Sequence, residues 1–218
     1  MGLPQADLKV GLYGPAGPGV TRLILLRHGE PDETVRGRCY GRLDPGLSPA
    51  GREQMQRTWG LFDGAPAAIY SSPRRRAVES ASLRASGAPA ITIDERLREI
   101  DFGEFEGLTY RDISIRYPQA YAEWMTRPTE VQFPGGECFG EMTMRVREAL
   151  ERIRRRHEGE TVAIVSHGGV NRIALAAALE IDARHIFRLA QSYACANVID
   201  YVLDEPLVRV INATCERC

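Results

Sequence analysis

The chain reads as an α/β protein with a largely parallel sheet, and three observations predict it. Short apolar runs alternate with stretches of helical apolar spacing. Two of those runs, Leu23-Ile24-Leu25-Leu26 and Val162-Ala163-Ile164-Val165-Ser166, lead directly into His-Gly, as strands do when they deliver residues to a sheet edge. A length of 218 residues, with 44% hydrophobic and 26% charged residues, suits one domain of generous size or at most two small ones.

Met1 to Val20 is rich in Gly and Pro and is expected to be a flexible tail, docked at most by Leu8, Val10 and Leu12. Residues 21–218 are expected to form the domain. Arg22 to Leu26 is the first strand. The polar loop from Glu30 to Leu47 is long for a plain connection, and such loops are usually functional. Ser48 caps a helix that has Pro49 at its first position and runs to about Phe62. Ala67 to Ser71 is the second strand, a helix opens at Pro73 and reaches about Ala85, and Ala90 to Ile93 is the third strand. Leu97 to Leu108 reads as extended chain and turns. Thr109 to Tyr117 and Pro118 to Met125 read as short helices, and Pro134-Gly135-Gly136 breaks the chain. Glu137 to His157 has helical spacing at Met142, Val146, Ala149, Leu150 and Ile153. Val162 to Ser166 is the fourth strand, Gly169 to Leu179 a helix and Asp182 to Ile186 a short one. Asn197 to Leu203 and Leu207 to Ile211 are late strands.

The net charge of −1 provides no field for nucleic acid or a membrane. The Arg152 to Arg156 run lies at a helix end, where cations complement the dipole. No apolar stretch approaches the ~20 residues of a membrane helix, and the N-terminus lacks the pattern of a signal peptide. The expected location is the cytoplasm, which fits five scattered cysteines. Cys215 and Cys218 form a C-x-x-C pair too small to hold a metal alone. No carboxylate cluster or His/Asp spacing suggests a metal site, and no cofactor is expected.

The chemistry lies at the strand ends. The carboxyl ends of strands are where ligands bind in open α/β sheets. Arg27-His28-Gly29 and His167-Gly168 would bring two histidines and cationic groups to one edge. Guanidinium forks match phosphate or carboxylate oxygens. A histidine among arginines is held neutral near pH 7, and neutral imidazole is a good nucleophile toward phosphorus. Each residue has a plainer reading. Arg76 can pair with Glu79 on its own helix, Glu99 can bridge Arg96 or Arg98, and His167 can be a satisfied core histidine. His157 and His185 have no motif around them and are expected at the surface.

Arg27-His28-Gly29-Glu30, Ser71-Ser72-Pro73-Arg74-Arg75-Arg76-Ala77, Leu97-Arg98-Glu99 with its Phe102-Gly103-Glu104-Phe105-Glu106-Gly107 sequel, Pro134-Gly135-Gly136-Glu137 and Ser166-His167-Gly168 occur in one order. That order resembles the histidine phosphatase superfamily, with its phosphoglycerate-mutase-like fold, from about Arg22 to about Val202. The resemblance implies a three-layer α/β/α fold with a mostly parallel sheet and a small helical cap at about residues 109–133. By the same resemblance, His28 is the histidine that becomes phosphorylated and Glu99 the acid that protonates the leaving oxygen. His167 is the second histidine, stabilising the transition state. Arg27 and Arg76 bind phosphate, with the backbone N–H of Gly168 as a further donor, and Arg74 and Arg75 remain surface charges. Thr34 stands where many members carry Asn, and Tyr40, after Cys39, where Gln often stands. Thr34, Cys39 and Tyr40 are therefore pocket candidates. Tyr40 either stacks on a substrate ring or packs.

The activity implied is hydrolysis of a small phosphomonoester through phosphohistidine, without metal. The Cys-Tyr-Gly and Pro-Gly-Gly-Glu segments look most like those of phosphatases acting on α-ribazole 5′-phosphate. The alternatives are phosphoryl transfer of the phosphoglycerate mutase type and non-catalytic phosphate binding. The partner expected is a small phosphorylated metabolite, with neither nucleic acid nor membrane, and the assembly compatible with this reading is a homodimer.

Overall fold

The computed structural model describes residues 16–84 and 87–215. The expected docking of Leu8, Val10 and Leu12, and the Cys218 half of the C-x-x-C pair, lie outside those residues.

Six strands form one sheet: β1 (Val20–Arg27), β2 (Ala68–Ser71), β3 (Ile91–Ile93), β4 (Thr161–Ser166), β5 (Ala196–Val202) and β6 (Glu205–Ala213), in the order β3-β2-β4-β1-β5-β6. The first four strands of that order run parallel, while β5 and β6 pair antiparallel on one side. The sheet is thus mixed, with a parallel majority. Val20, expected to precede the domain, is the first residue of β1.

Alternation along the strands creates the layers. Leu23 and Leu25 of β1, with Val162 and Ile164 of β4, belong to one apolar cluster. Ile24 and Leu26, with Ala163 and Val165, belong to another. Successive side chains point to opposite faces, so a strand apolar throughout must be covered twice. Helices α1 (Pro49–Trp59) and α2 (Arg75–Ser82) cover one face through Met55, Trp59, Ala77 and Ala81. After α3 (Tyr110–Arg116) and α4 (Pro118–Thr126) come the two helices of the other face, α5 (Phe139–Arg156) and α6 (Gly168–Ala178). They pack through Met142, Val146, Ile153, Val170 and Ile173. Burying a side chain of this size stabilises by roughly 1.5–3 kcal/mol.

Local chemistry sets the boundaries. Ser48 accepts the N–H of Gly51 and Pro49 opens α1, as expected. At α5 the cap is Cys138, whose thiol accepts the N–H of Glu141 while the Glu141 carboxylate accepts that of Cys138. A thiol in a capping box is not what sequence rules look for. The 109–133 segment carries α3 and α4, and Ile113, Trp124 and Val131 join the main apolar cluster. Beneath it, Gly103 at φ 54° and Gly136 touch backbone to backbone: a Cβ on Gly136 would lie 2.6 Å from the Gly103 nitrogen. That contact ties the turn after Glu99 to the Pro134-Gly135-Gly136 break.

His157 departs from its expected surface position. It is half-buried, 3.0 Å from the Tyr70 hydroxyl and 2.7 Å from Glu160. No helix among the described residues is long and apolar enough to cross a membrane.

Candidate active site

The register of β1 on β4 pairs Arg27 with Ser166. His28 and His167 are therefore the next residues past two neighbouring parallel strands. The N–H of His28 donates to the Ser166 carbonyl, extending the ladder by one bond. The two imidazole rings lie 5.2 Å apart. His28 is 2% exposed and His167 fully buried.

His28 Nδ1 sits 2.7 Å from the carbonyl oxygen of Gly29. A carbonyl only accepts, so Nδ1 carries the proton and Nε2 keeps its lone pair free. Burial first, then Arg76 and Arg27, hold the His28 pKa well below 6.5. Burial and Arg76 lead the causes that push His167 in the same direction. Both rings are neutral near pH 7.

Arg76 is fully buried on the first turn of α2. Its guanidinium donates to the carbonyls of Leu43, Tyr40 and Gly41, so the 40–43 loop holds it. It does not pair with Glu79, which is held by Arg75 and Arg52. Arg27 donates to the carbonyl of Gln191. Arg27 Nε, Arg76 Nε and His167 Nδ1 are all buried without a hydrogen-bond partner from the protein. Unpaired donors of this kind are costly unless an anion meets them. Gly168 opens α6, where the first amides have no partner within the helix. Arg75 is exposed as expected, whereas Arg74 is half-buried.

Glu99 bridges neither Arg96, which pairs with Asp94 and Glu148, nor Arg98, which faces Glu137. Its Oε1 accepts from Ile100 N–H and its Oε2 from Gly169 N–H. Arg145 holds the backbone around it, donating to the carbonyls of Arg96, Arg98 and Glu99 while paired with Glu137. Asp101 is turned elsewhere, toward Gly103 N–H and Arg42.

A cavity of about 260 Å³ joins Arg27, His28, Arg76 and Glu99 to an aromatic outer part lined by Phe102, Tyr110, Trp124, Phe133, Phe139 and Phe187, with Arg38 and Arg172. Cys39 and Tyr40 line it as well. Burial pushes the Cys39 thiol up to about 12, so it is a wall residue rather than a nucleophile. The Tyr40 hydroxyl lies 2.7 Å from that of Tyr193. Tyr40 is thus fixed by packing, with the Arg76 guanidinium 5.0 Å from its ring centre and Arg27 4.1 Å from that of Tyr193. The expectation for Thr34 is not met by its placement: it is exposed on a short 3-10 turn, its N–H bonded to Asp32, and does not line this cavity. Arg145, Arg172, Gly169 and Tyr193 went unmarked in the sequence. Of these, Gly169 and Arg172 had the signal of lying within one turn of His167-Gly168.

Two buried neutral imidazoles thus lie against guanidinium nitrogens that have no protein partner, on a three-layer α/β/α frame. Residues 23–214 match the histidine phosphatase superfamily (branch 1), and the chain belongs to that family. It is 34% identical over 216 residues to a bifunctional protein of Mycobacterium tuberculosis, covering 94% of this chain but 59% of that protein. The chain thus spans about three fifths of the length of that relative. Phosphoserine phosphatase 1 of Hydrogenobacter thermophilus is 32% identical, with 90% of this chain and 94% of the relative covered. Among solved structures, the α-ribazole phosphatase of Shigella flexneri superposes with a TM-score of 0.81 at 28% identity, covering 88% of this chain and 96% of that one.

Proposed function

We propose that the chain hydrolyses a small phosphomonoester through a phosphohistidine on His28, without a metal. The observation that carries this reading is the set of unpartnered buried donors, Arg27 Nε, Arg76 Nε and His167 Nδ1, around a neutral imidazole whose Nε2 lone pair is free. A dianionic phosphoryl group fits those donors. His28 Nε2 attacks phosphorus and the P–O bond to the leaving group breaks. Arg27, Arg76, His167 and the Gly168 amide stabilise the charge on the non-bridging oxygens. Glu99 at the cavity wall protonates the departing oxygen, then takes a proton from the water that attacks phosphohistidine.

α-Ribazole 5′-phosphate is the substrate we favour. The likeness to the Shigella flexneri enzyme supports it, and so does the aromatic outer cavity, suited to a planar ring. Glu99 is the one carboxylate among the residues lining that cavity, which leaves little to receive the ammonium group of phosphoserine.

Acid-quenched turnover followed by peptide mass spectrometry tests the covalent step. Phosphate is expected on His28 and absent in the His28→Ala variant, and phosphate trapped on another residue would overturn the reading. Activity should survive EDTA. Comparing kcat/KM on α-ribazole 5′-phosphate, phosphoserine and 3-phosphoglycerate decides the substrate.

A further inference from the structure

The Ser71-Ser72-Pro73 turn before α2 places a hydroxyl directly behind the second histidine. Ser72 Oγ lies 2.7 Å from His167 Nε2, and both residues are fully buried. The N–H of Arg74 already donates to Ser72 Oγ at 3.3 Å. Ser71 donates its own proton to the Ser72 carbonyl and so does not compete. Among the described residues, His167 Nε2 is the acceptor within reach of the Ser72 hydroxyl proton.

We propose that Ser72 is a positioning residue that sets the tautomer of His167: its O–H donates to Nε2, which keeps the ring proton on Nδ1, the edge left for the phosphoryl group. The inference rests on the phosphatase reading for its purpose, though not for its geometry. A neutral imidazole carries one proton, and the partner of one nitrogen decides what the other does. The two histidines are set in opposite senses by opposite partners. The Gly29 carbonyl accepts from His28 Nδ1 and frees Nε2 as a lone pair. The Ser72 hydroxyl donates to His167 Nε2 and makes Nδ1 a donor. His167 Nδ1 is buried and has no partner from the protein, beside the His28 ring. With the other tautomer, a lone pair would face the phosphoryl oxygens and repel them. Ser72 thus gives the site a neutral N–H donor, and the buried pocket need not take up another positive charge.

Nitrogen-15 NMR of the resting protein, with the His167 signals assigned by comparison with His167→Gln, reads the tautomer directly. The expected result is a protonated Nδ1 and an unprotonated Nε2, and the reverse would overturn the proposal. In turnover, Ser72→Ala should lower kcat on the order of 10–100-fold, the cost seen when a metal-ligating histidine loses the partner that orients it. KM should change little, and Ser72→Thr, which keeps the hydroxyl, should restore most of the rate. The same loss is expected on para-nitrophenyl phosphate and on an alkyl phosphate, because the donor acts on the phosphoryl oxygens rather than on the leaving group. A Ser72→Ala variant with wild-type kcat would overturn the proposal. If that variant does not fold, the wild-type nitrogen signals still decide. Inactivity of the wild type on every ester tried would overturn the phosphatase reading alone.

Discussion

The Glu99 carboxylate is held by backbone N–H groups, and its own backbone by the Arg145 side chain. Arg145 grips the carbonyls of residues 96, 98 and 99, and Gly169 yields the room that the carboxylate occupies. A Cβ at position 169 would lie 2.4 Å from Glu99 Oε1 and 2.9 Å from Met142 Cε. Gly169→Ala should therefore displace the carboxylate while leaving the fold intact. Glu99→Gln should lose on the order of 10²–10⁴ in rate on an alkyl phosphate, the range of general acid catalysis. Its burst phase on para-nitrophenyl phosphate should suffer far less, since phenolate leaves unaided. Gly169→Ala should share that selectivity. Equal burst losses on both esters would mean that Glu99 orients groups and donates no proton.

At the scale of elements, the segment carrying α3 and α4 serves both packing and lining. Trp124 is buried against Phe102, Phe105 and Phe133, and its ring stacks on Tyr110 at 5.3 Å. Tyr110 is 48% exposed and also lines the cavity. Trp124→Ala should destabilise by about 3–5 kcal/mol in denaturant unfolding, the typical loss for a buried aromatic. Tyr110→Ala should leave stability nearly unchanged and alter which phosphoester is preferred, measured as kcat/KM across a panel. Unchanged preference would exclude this segment from substrate selection. The elements that deliver His28 and His167 were legible because a strand buried on both faces must be apolar throughout, so its end is marked by the first polar residue. α1 was legible from Ser48 and Pro49. The supports were not. Arg145, Ser72 and Tyr193 act on residues far along the chain, and only folding brings them together. Thr34 failed for the converse reason: its spacing from Gly29 says nothing about the 3-10 turn that leaves it in solvent. The Cys138 cap was missed because a thiol rarely plays that part.

At the scale of the whole molecule, the two histidines couple the site to stability. Folding lowers the pKa of both below 6.5, so between the folded and unfolded values the unfolded chain binds protons that the folded chain does not. Their contribution is fully present above pH 6.5 and is lost as the pH falls toward the folded values. For two protons the slope reaches about 2.7 kcal/mol per pH unit, at ~1.36 for each. Replacing both with Gln should flatten the decline in unfolding free energy between about pH 6.5 and pH 5. An unchanged slope would show that neither ring is held neutral. The buried Arg76 guanidinium beside these neutral rings explains why the site is built from several elements at once. β1 ends in Arg27 and leads into His28, β4 leads into His167, α2 carries Arg76 and the 40–43 loop holds that guanidinium, which no one of them could keep dry alone.

Tyr40 and Tyr193 join hydroxyls beside the histidines, while Tyr110 and Phe187 of the cavity lining are about half exposed to solvent. On the proposed reaction the phosphoryl group stays bonded to His28 while the alcohol leaves, so the alcohol departs first and inorganic phosphate last, giving ping-pong kinetics with phosphate as the competitive product. Between those departures the phosphorylated chain stands open to whatever enters next. An alcohol with a planar ring would be drawn to the same aromatic walls that the first product left. Such alcohols should divert phosphoryl groups from water, so that the ratio of transfer to hydrolysis measures how well the outer cavity holds them.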